Sequence, residues 1–300
     1  LPLLLAWGSG APYGFIGTPK SDYTWASGPG SAGLAAWVHG CKGSEWDPWE
    51  WAVMGRPRCR MVAVRDRLTA RGLRRRGVAA LAPGNPMMDG LERQPACPGQ
   101  PQQRRILLLG GSRMPEALGN VRRLLCALDG VDQEQELLLL APCGSRPTPQ
   151  EWAPLLTQLG YRQEPSPAGS GASACWRRHR WQLLVGPGCF AGWAAWAELG
   201  LAAAGTATEQ LVGLGIPALS LPGPGPQFKR GFAERQSRLL GGAVTVCSGP
   251  QQLAARLELL LREPQLRAEL GAIGRRRMGP AGGGLALARL VVERLLPAAG

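Results

Sequence analysis

From Ile106 onward the chain alternates short, wholly apolar runs with helical patterns, and nearly every run closes on glycine or proline. ILLLGG, LLLLAP, WQLLVG, GLAAAG and IPALSL are the runs. An apolar run of this length with no polar alternation is a strand buried on both faces. Helical segments between such strands make crossover connections, so the sheet they build is parallel and the class is α/β. The first ninety residues repeat the pattern more loosely. Leu3–Ala6, Phe15–Thr18, Arg60–Val64 and Ala79–Ala82 read as strands, and DPWEWAVMG and RDRLTARGLRRRG read as helices. Asp47 is placed to cap the first helix, with Pro48 in its first turn and Glu50 completing a capping box. TPQEWAPLLTQLG carries the same signal in Thr148, Pro149 and Glu151, and Gly160 stops it.

Between these halves lies LERQPACPGQPQQR, polar, proline-rich and without period, which reads as a linker. Residues 165–174 read as loop. Three helices close the chain, the last being LALARLVVERLL after a glycine-rich break. The division this implies is 1–89 as one domain, 90–104 as linker, 105–280 as a second domain, and 281–300 as a closing helix that packs back on the first. Three hundred residues, 45% of them hydrophobic, suffice for two cores of ordinary size.

Charge and cysteine usage narrow the function classes. The balance of 34 Lys+Arg against 21 Asp+Glu, a net +13, is carried almost wholly by arginine. One reading is a solvated basic surface; the other is a field that attracts nucleotide phosphates or anionic lipid. The arginines are dispersed and not interleaved with aromatics, which argues against nucleic acid. The cysteines are scattered with no C-x-x-C pair, and only His39 and His179 accompany them, so neither a zinc site nor a disulfide framework is read. His39 and Asp47 read as a loop histidine and a helix cap. No apolar run approaches the ~18 residues of a membrane span. The chain opens on Leu1, directly in an apolar segment, and is expected to be a fragment with its first domain incomplete.

In a doubly wound sheet, ligands sit where strand ends meet helix N-termini. Gly110-Gly111-Ser112-Arg113 follows the strand Ile106–Leu109. Its glycines let the backbone approach an anion, and Arg113 adds a fork of donors. An ordinary tight turn explains the glycines equally. Gly205-Thr206-Ala207-Thr208-Glu209 opens a helix after Leu201–Ala204. One reading is a capping box of Thr206 and Glu209. The other is a helix N-terminus facing a diphosphate, with the Glu209 carboxylate holding a ribose diol. Spacing alone does not separate the two. Downstream, Pro222-Gly223-Pro224-Gly225-Pro226 makes a rigid loop, and Gln236 stands one turn beyond Phe232.

The order GGSR, GTATEQ, PGPGPQF and FAERQSRLL resembles the C-terminal half of the two-Rossmann-domain glycosyltransferases of B type, a superfamily shared with the non-hydrolysing UDP-N-acetylglucosamine 2-epimerases. GGSRMPEALGN is similar to the GSRxxE turn of the lipid-A-disaccharide synthases, and AAAGTATEQLVGLGIP to their SGTATxE segment. FIGTPKSDYTW, DPWEWAVM, VRDRLTA and GNPMMDGLE resemble first-domain segments of the cyanobacterial synthase-related proteins. The resemblance implies two Rossmann-like domains with a cleft between them. It also implies transfer of a sugar from a UDP-sugar to a lipid-linked acceptor, with UDP-sugar 2-epimerisation or nucleotide binding without turnover as alternatives. It implies no metal and no cofactor, and a cytoplasmic, membrane-peripheral location. Gly111, Ser112 and Arg113 would hold the diphosphate with Gly205, Thr206 and Thr208, and Arg113 would stabilise the leaving group. Glu209 would hold the ribose, and Gln227, Phe228 and Gln236 would line the sugar or uracil side. Gly84-Asn85-Pro86 would form an interdomain hinge. The general base is expected upstream of Leu1.

Overall fold

A computed structural model of the chain describes residues 2–26, 34–91, 102–223 and 228–296. They divide into two compact units. The first holds the residues up to Asp89, Arg238–Gly241 and those from Arg277 on; the second holds Gly90–Ser237 and Gly242–Arg276.

In the first unit, β1 (Tyr13–Gly17), β2 (Cys59–Val64) and β3 (Ala80–Leu81) form a parallel sheet in the order β1-β2-β3. The helix Pro48–Met54 starts as its sequence dictates: the Glu50 carboxylate accepts the Asp47 amide at 2.7 Å and also takes the Lys20 ammonium at 2.7 Å. The helix Arg67–Arg74 is capped by Asp66, which accepts from the Thr69 amide at 2.8 Å. Trp46, Val62, Val64, Ala70 and Leu73 pack as the core of this unit.

The expected strand Leu3–Ala6 is instead part of a helix, Pro2–Gly8. Leu and Ala are strong helix formers, none of these residues is β-branched, and Pro2 stands in the first turn, where it is tolerated. Only Leu3 is buried, so one helical face is enough to hold the segment. His39 is likewise not in a loop but in the helix Leu34–Lys42, with Nε2 3.9 Å from the Glu45 carboxylate.

The last helix, Gly283–Leu295, packs against β1 and β2. A Cβ on Gly14 would lie 2.6 Å from Leu295 Cδ1, and one on Gly283 would lie 2.6 Å from the Asn85 backbone. Asp89 accepts from the Gly282 and Gly284 amides at 2.6 and 2.7 Å, which holds its carboxyl below the usual range. Gly84-Asn85-Pro86 therefore serves as the seat of this helix. Asn85 is buried there, with its side-chain oxygen accepting the Met87 amide.

The second unit is an eight-stranded sheet in the order β11-β10-β9-β4-β5-β8-β7-β6. Its strands are β4 (Arg104–Leu109), β5 (Leu137–Cys143), β6 (Arg162–Glu164), β7 (Ala174–Arg178), β8 (Trp181–Pro187), β9 (Leu199–Ala202), β10 (Ala218–Ser220) and β11 (Val244–Val246). All pair in parallel except β6 with β7 and β7 with β8. That antiparallel edge is not expected from sequence, because Arg177, Arg178, His179 and Arg180 interrupt the apolar run. His179 turns the hairpin in the left-handed region (φ 54°), and Arg178 is neutralised by Asp129 at 2.8 Å. The Thr148 capping box forms, with the Thr148 amide donating to Glu151 at 2.7 Å.

The strand order fixes where a ligand can enter. From β4 the chain steps to β5, crosses to the edge strand β6 and comes back through β7 to β8 beside β5, then passes to the other side of β4 for β9 and steps outward through β10 and β11. The reversal point is the β4/β9 pair. Loops leaving its carboxyl ends diverge and open a crevice.

Candidate functional site

The registers Ile106 with Leu199 and Leu109 with Ala202 set the ends of β4 and β9 level, and the Ala203 amide donates to the Leu109 carbonyl at 2.7 Å. The Gly110–Arg113 turn and the Gly205 turn therefore leave the sheet side by side. Gly110 is required by packing. A Cβ there would meet Val121 Cγ2 at 2.4 Å and the Ala117 carbonyl at 2.9 Å. Gly111 has φ +92°, a left-handed conformation that glycine adopts without strain. Beyond them the 12-residue helix Glu116–Ala127 begins at Pro115 with no side-chain cap. Ser112 and Arg113 are exposed on the cleft wall, and among the described residues the Arg113 guanidinium has no ion-pair partner.

On the β9 side the helix Thr206–Gly213 is capped by Gly205 and not by Thr206, so the Thr206/Glu209 capping box does not form. The Thr208 and Glu209 amides both bond the Gly205 carbonyl, at 3.1 and 3.2 Å. The Thr206 and Ala207 amides then have no intrahelical acceptor, and both residues line the cleft. Thr208 does not line it. It is fully buried, and its hydroxyl donates to the Ala204 carbonyl at 2.7 Å, which stiffens the turn. Gln236 is also buried behind the turn, with Nε2 donating to the Gly205 carbonyl at 3.0 Å. Gln227 lies outside the described residues.

Glu209 and Gln210 stand three and four residues beyond Thr206, so both lie within one turn of it, and the cleft lining tells them apart. Gln210 lines the cleft and Glu209 is not among the lining residues. The spacing of SGTATxE itself places its final residue on Gln210, one position past Glu209. An amide thus stands where the resembled motif has a carboxylate.

The cleft encloses about 690 Å³, within the range of sites for nucleotide-sized ligands. Gly111, Ser112, Arg113, Gly205, Thr206 and Phe228 meet there, as the sequence reading grouped them. Phe228 is buried and packs edge to face with the half-exposed Phe232, ring centroids 5.5 Å apart. Sequence reasoning missed Glu116, Asn120, Phe190 and Phe232 on this surface, and Cys143, whose thiol is pushed up by burial. Their signal was positional: each stands at the end of a parallel strand or in the next helix, which only the strand order reveals. Two helix N-termini without side-chain caps and the Arg113 side chain meet at one end of the cleft. No group of three or more His, Cys, Asp or Glu side chains able to hold a metal occurs among the described residues. No helix among them is long and apolar enough to cross a membrane.

Solved structures share this architecture. The chain is similar to a putative UDP-N-acetylglucosamine 2-epimerase from Listeria monocytogenes, at 15% identity and TM-score 0.52, with 97% of this chain and 75% of that one covered. It is also similar to MnaA from S. aureus, solved with UDP, at 12% identity and TM-score 0.53, covering 98% and 78%. No protein-family model and no curated protein sequence matches the chain. The fold is therefore the α/β fold with parallel sheets that these two solved structures share.

Proposed function

We propose that the second unit binds a UDP-sugar with its diphosphate at the β4/β9 crevice. We further propose that the protein is a glycosyltransferase resembling the lipid-A-disaccharide synthases, acting on a lipid-linked hydroxyl acceptor. One observation carries the proposal. The Gly110–Arg113 turn and the open amides of Thr206 and Ala207 converge on one cleft at the strand-order reversal. Gly111, Ser112, Gly205 and Thr206 hold the diphosphate, and Gln210 meets the ribose hydroxyls. Phe228 and Phe232 form an apolar wall toward the sugar. When the bond from the anomeric carbon to the diphosphate breaks, negative charge grows on the leaving UDP. Arg113 and the two helix N-termini are already aimed there, so they stabilise that charge without reorganising. The new bond joins the anomeric carbon to the acceptor oxygen, whose proton passes to a base. Peripheral attachment to an anionic membrane belongs to the same proposal, supported by the +13 charge and by the exposed Leu4, Leu5 and Trp7 of the first helix.

A second reading, 2-epimerisation of a UDP-sugar, is favoured by the Listeria structure's own description and shares the same nucleotide site. Sugar-labelled UDP-N-acetylglucosamine, incubated with the protein and a lipid-bearing saccharide, separates the two. Transfer releases UDP and moves label to the acceptor, whereas epimerisation leaves the label on the nucleotide as the C2 epimer. Absence of UDP binding by calorimetry would overturn both.

A further inference from the structure

We infer that Arg123 is a positioning residue that ties the phosphate turn after β4 to the chain leaving β10, so that two walls of the cleft are held as one. Arg123 lies on the helix Glu116–Ala127, two turns below its uncapped end, and is not itself a lining residue. Its guanidinium is half-buried, and among the described residues it pairs with no carboxylate. Neutral acceptors hold it on two sides. Nη1 donates to Asn120 Oδ1 at 3.2 Å, and Nη2 donates to the Leu221 carbonyl just past β10. Asn120 passes the constraint on, because its Nδ2 donates to the Gly110 carbonyl at 3.0 Å. The Arg123 fork thus joins Leu221 to Asn120, and through Asn120 to Gly110.

The far end of the tie is shaped to receive it. A Cβ on Gly223 would lie 1.9 Å from Arg123 Nη1 and 2.7 Å from Cζ, so any side chain at 223 displaces the guanidinium. The Gly223 amide in turn donates to the Phe228 carbonyl at 3.0 Å, and Phe228 floors the cleft. The continuous path is therefore Gly110, Asn120, Arg123, Leu221–Gly223, Phe228. A planar guanidinium can satisfy two divergent acceptors at once, and an ammonium on a flexible stem does so poorly. A charge effect and a bracing effect are separable on that ground.

The ligand named in the test rests on the UDP-sugar reading; the brace does not. In the full chain without ligand, amide hydrogen exchange is followed at Ala117, whose amide bonds the Arg113 carbonyl, and at Gly223. Gly223→Ala is expected to speed exchange at Ala117, and Asn120→Ala to speed it at Gly223, each across the tie. Calorimetry with UDP is expected to show about tenfold weaker binding in Arg123→Ala and in Gly223→Ala, with the double variant no weaker than either. Arg123→Lys is expected to remain weak. The inference is overturned if each substitution disturbs only its own loop, if the two losses add, or if lysine restores affinity. Exchange coupling in the variants, with no UDP binding by the wild-type protein, would keep the brace and remove the nucleotide reading.

Discussion

Arg113 and Gln210 are the two side chains whose placement most directly tests the site. In the proposed site Arg113 meets the diphosphate, and among the described residues no carboxylate pairs with it, so Arg113→Ala is expected to weaken UDP binding by about 1.5–3 kcal/mol, the worth of a charged hydrogen bond. Gln210→Ala is expected to cost UDP affinity by roughly 1 kcal/mol, a neutral bond, and Glu209→Ala less. Titration calorimetry on the three variants ranks them; a larger loss at Glu209 would return the ribose to that carboxylate. A different residue-scale effect sits in the first unit. Asp22 is 1% exposed, and burial pushes its carboxyl up to about 6 from 3.8. Its neighbours blunt that rise, since Oδ1 accepts the Glu45 amide at 2.7 Å, but the nearby Asp66 and Glu45 charges add to it. A raised carboxyl pKa means the folded state holds the proton more tightly than the unfolded state. Its contribution is full below about 3.8 and is lost as pH rises through about 6, to a cost on the order of 3 kcal/mol. Asp22→Asn should therefore flatten the stability profile between pH 4 and 7 in urea unfolding. An unchanged profile would mean the carboxyl is not desolvated.

At the scale of elements, the site depends on how tightly the first turn is pressed on its helix. Gly110→Ala would force a methyl into Val121 Cγ2 and the Ala117 carbonyl, and overpacking of that kind costs about 1–3 kcal/mol. Pairing it with Val121→Ala should return part of the loss in thermal unfolding, because the side chain can yield; the carbonyl cannot. No recovery would place the strain wholly on the backbone. The contrast with Gly205 is instructive. A Cβ there would meet only Phe232 Cζ, at 3.8 Å, so packing does not demand a glycine at that position. The capped helices were legible from sequence because their signals are local. Asp47, Pro48 and Glu50 lie within four residues, as do Thr148, Pro149 and Glu151, and both pairs form. The Thr206/Glu209 pair had the same spacing and did not form, since Gly205 already occupied the cap.

For the whole molecule, ligand linkage separates the two units. UDP at about 100 times its Kd should stabilise by about 2.7 kcal/mol. Hydrogen exchange should report that protection at the ends of β4 and β9 and in the two helices that follow them, within the second unit. Protection confined to the first unit would sink the assignment of the site. What the sequence determined by itself were properties that need only neighbours along the chain: buried apolar runs, glycine turns, helix caps, and therefore α/β layers. The edge hairpin β7–β8 escaped it because Arg177, Arg178, His179 and Arg180 masked the strand, and the three arginines pair with Glu164, Asp129, Glu134 and Glu136, residues outside the hairpin. The helix at Pro2–Gly8 escaped it because a short apolar run has no period to distinguish helix from strand. Only the tertiary structure decided that β4 and β9 are neighbours with the strand order reversing between them. That adjacency is set by packing among residues some ninety positions apart, and it alone brings two ordinary glycine turns into one crevice.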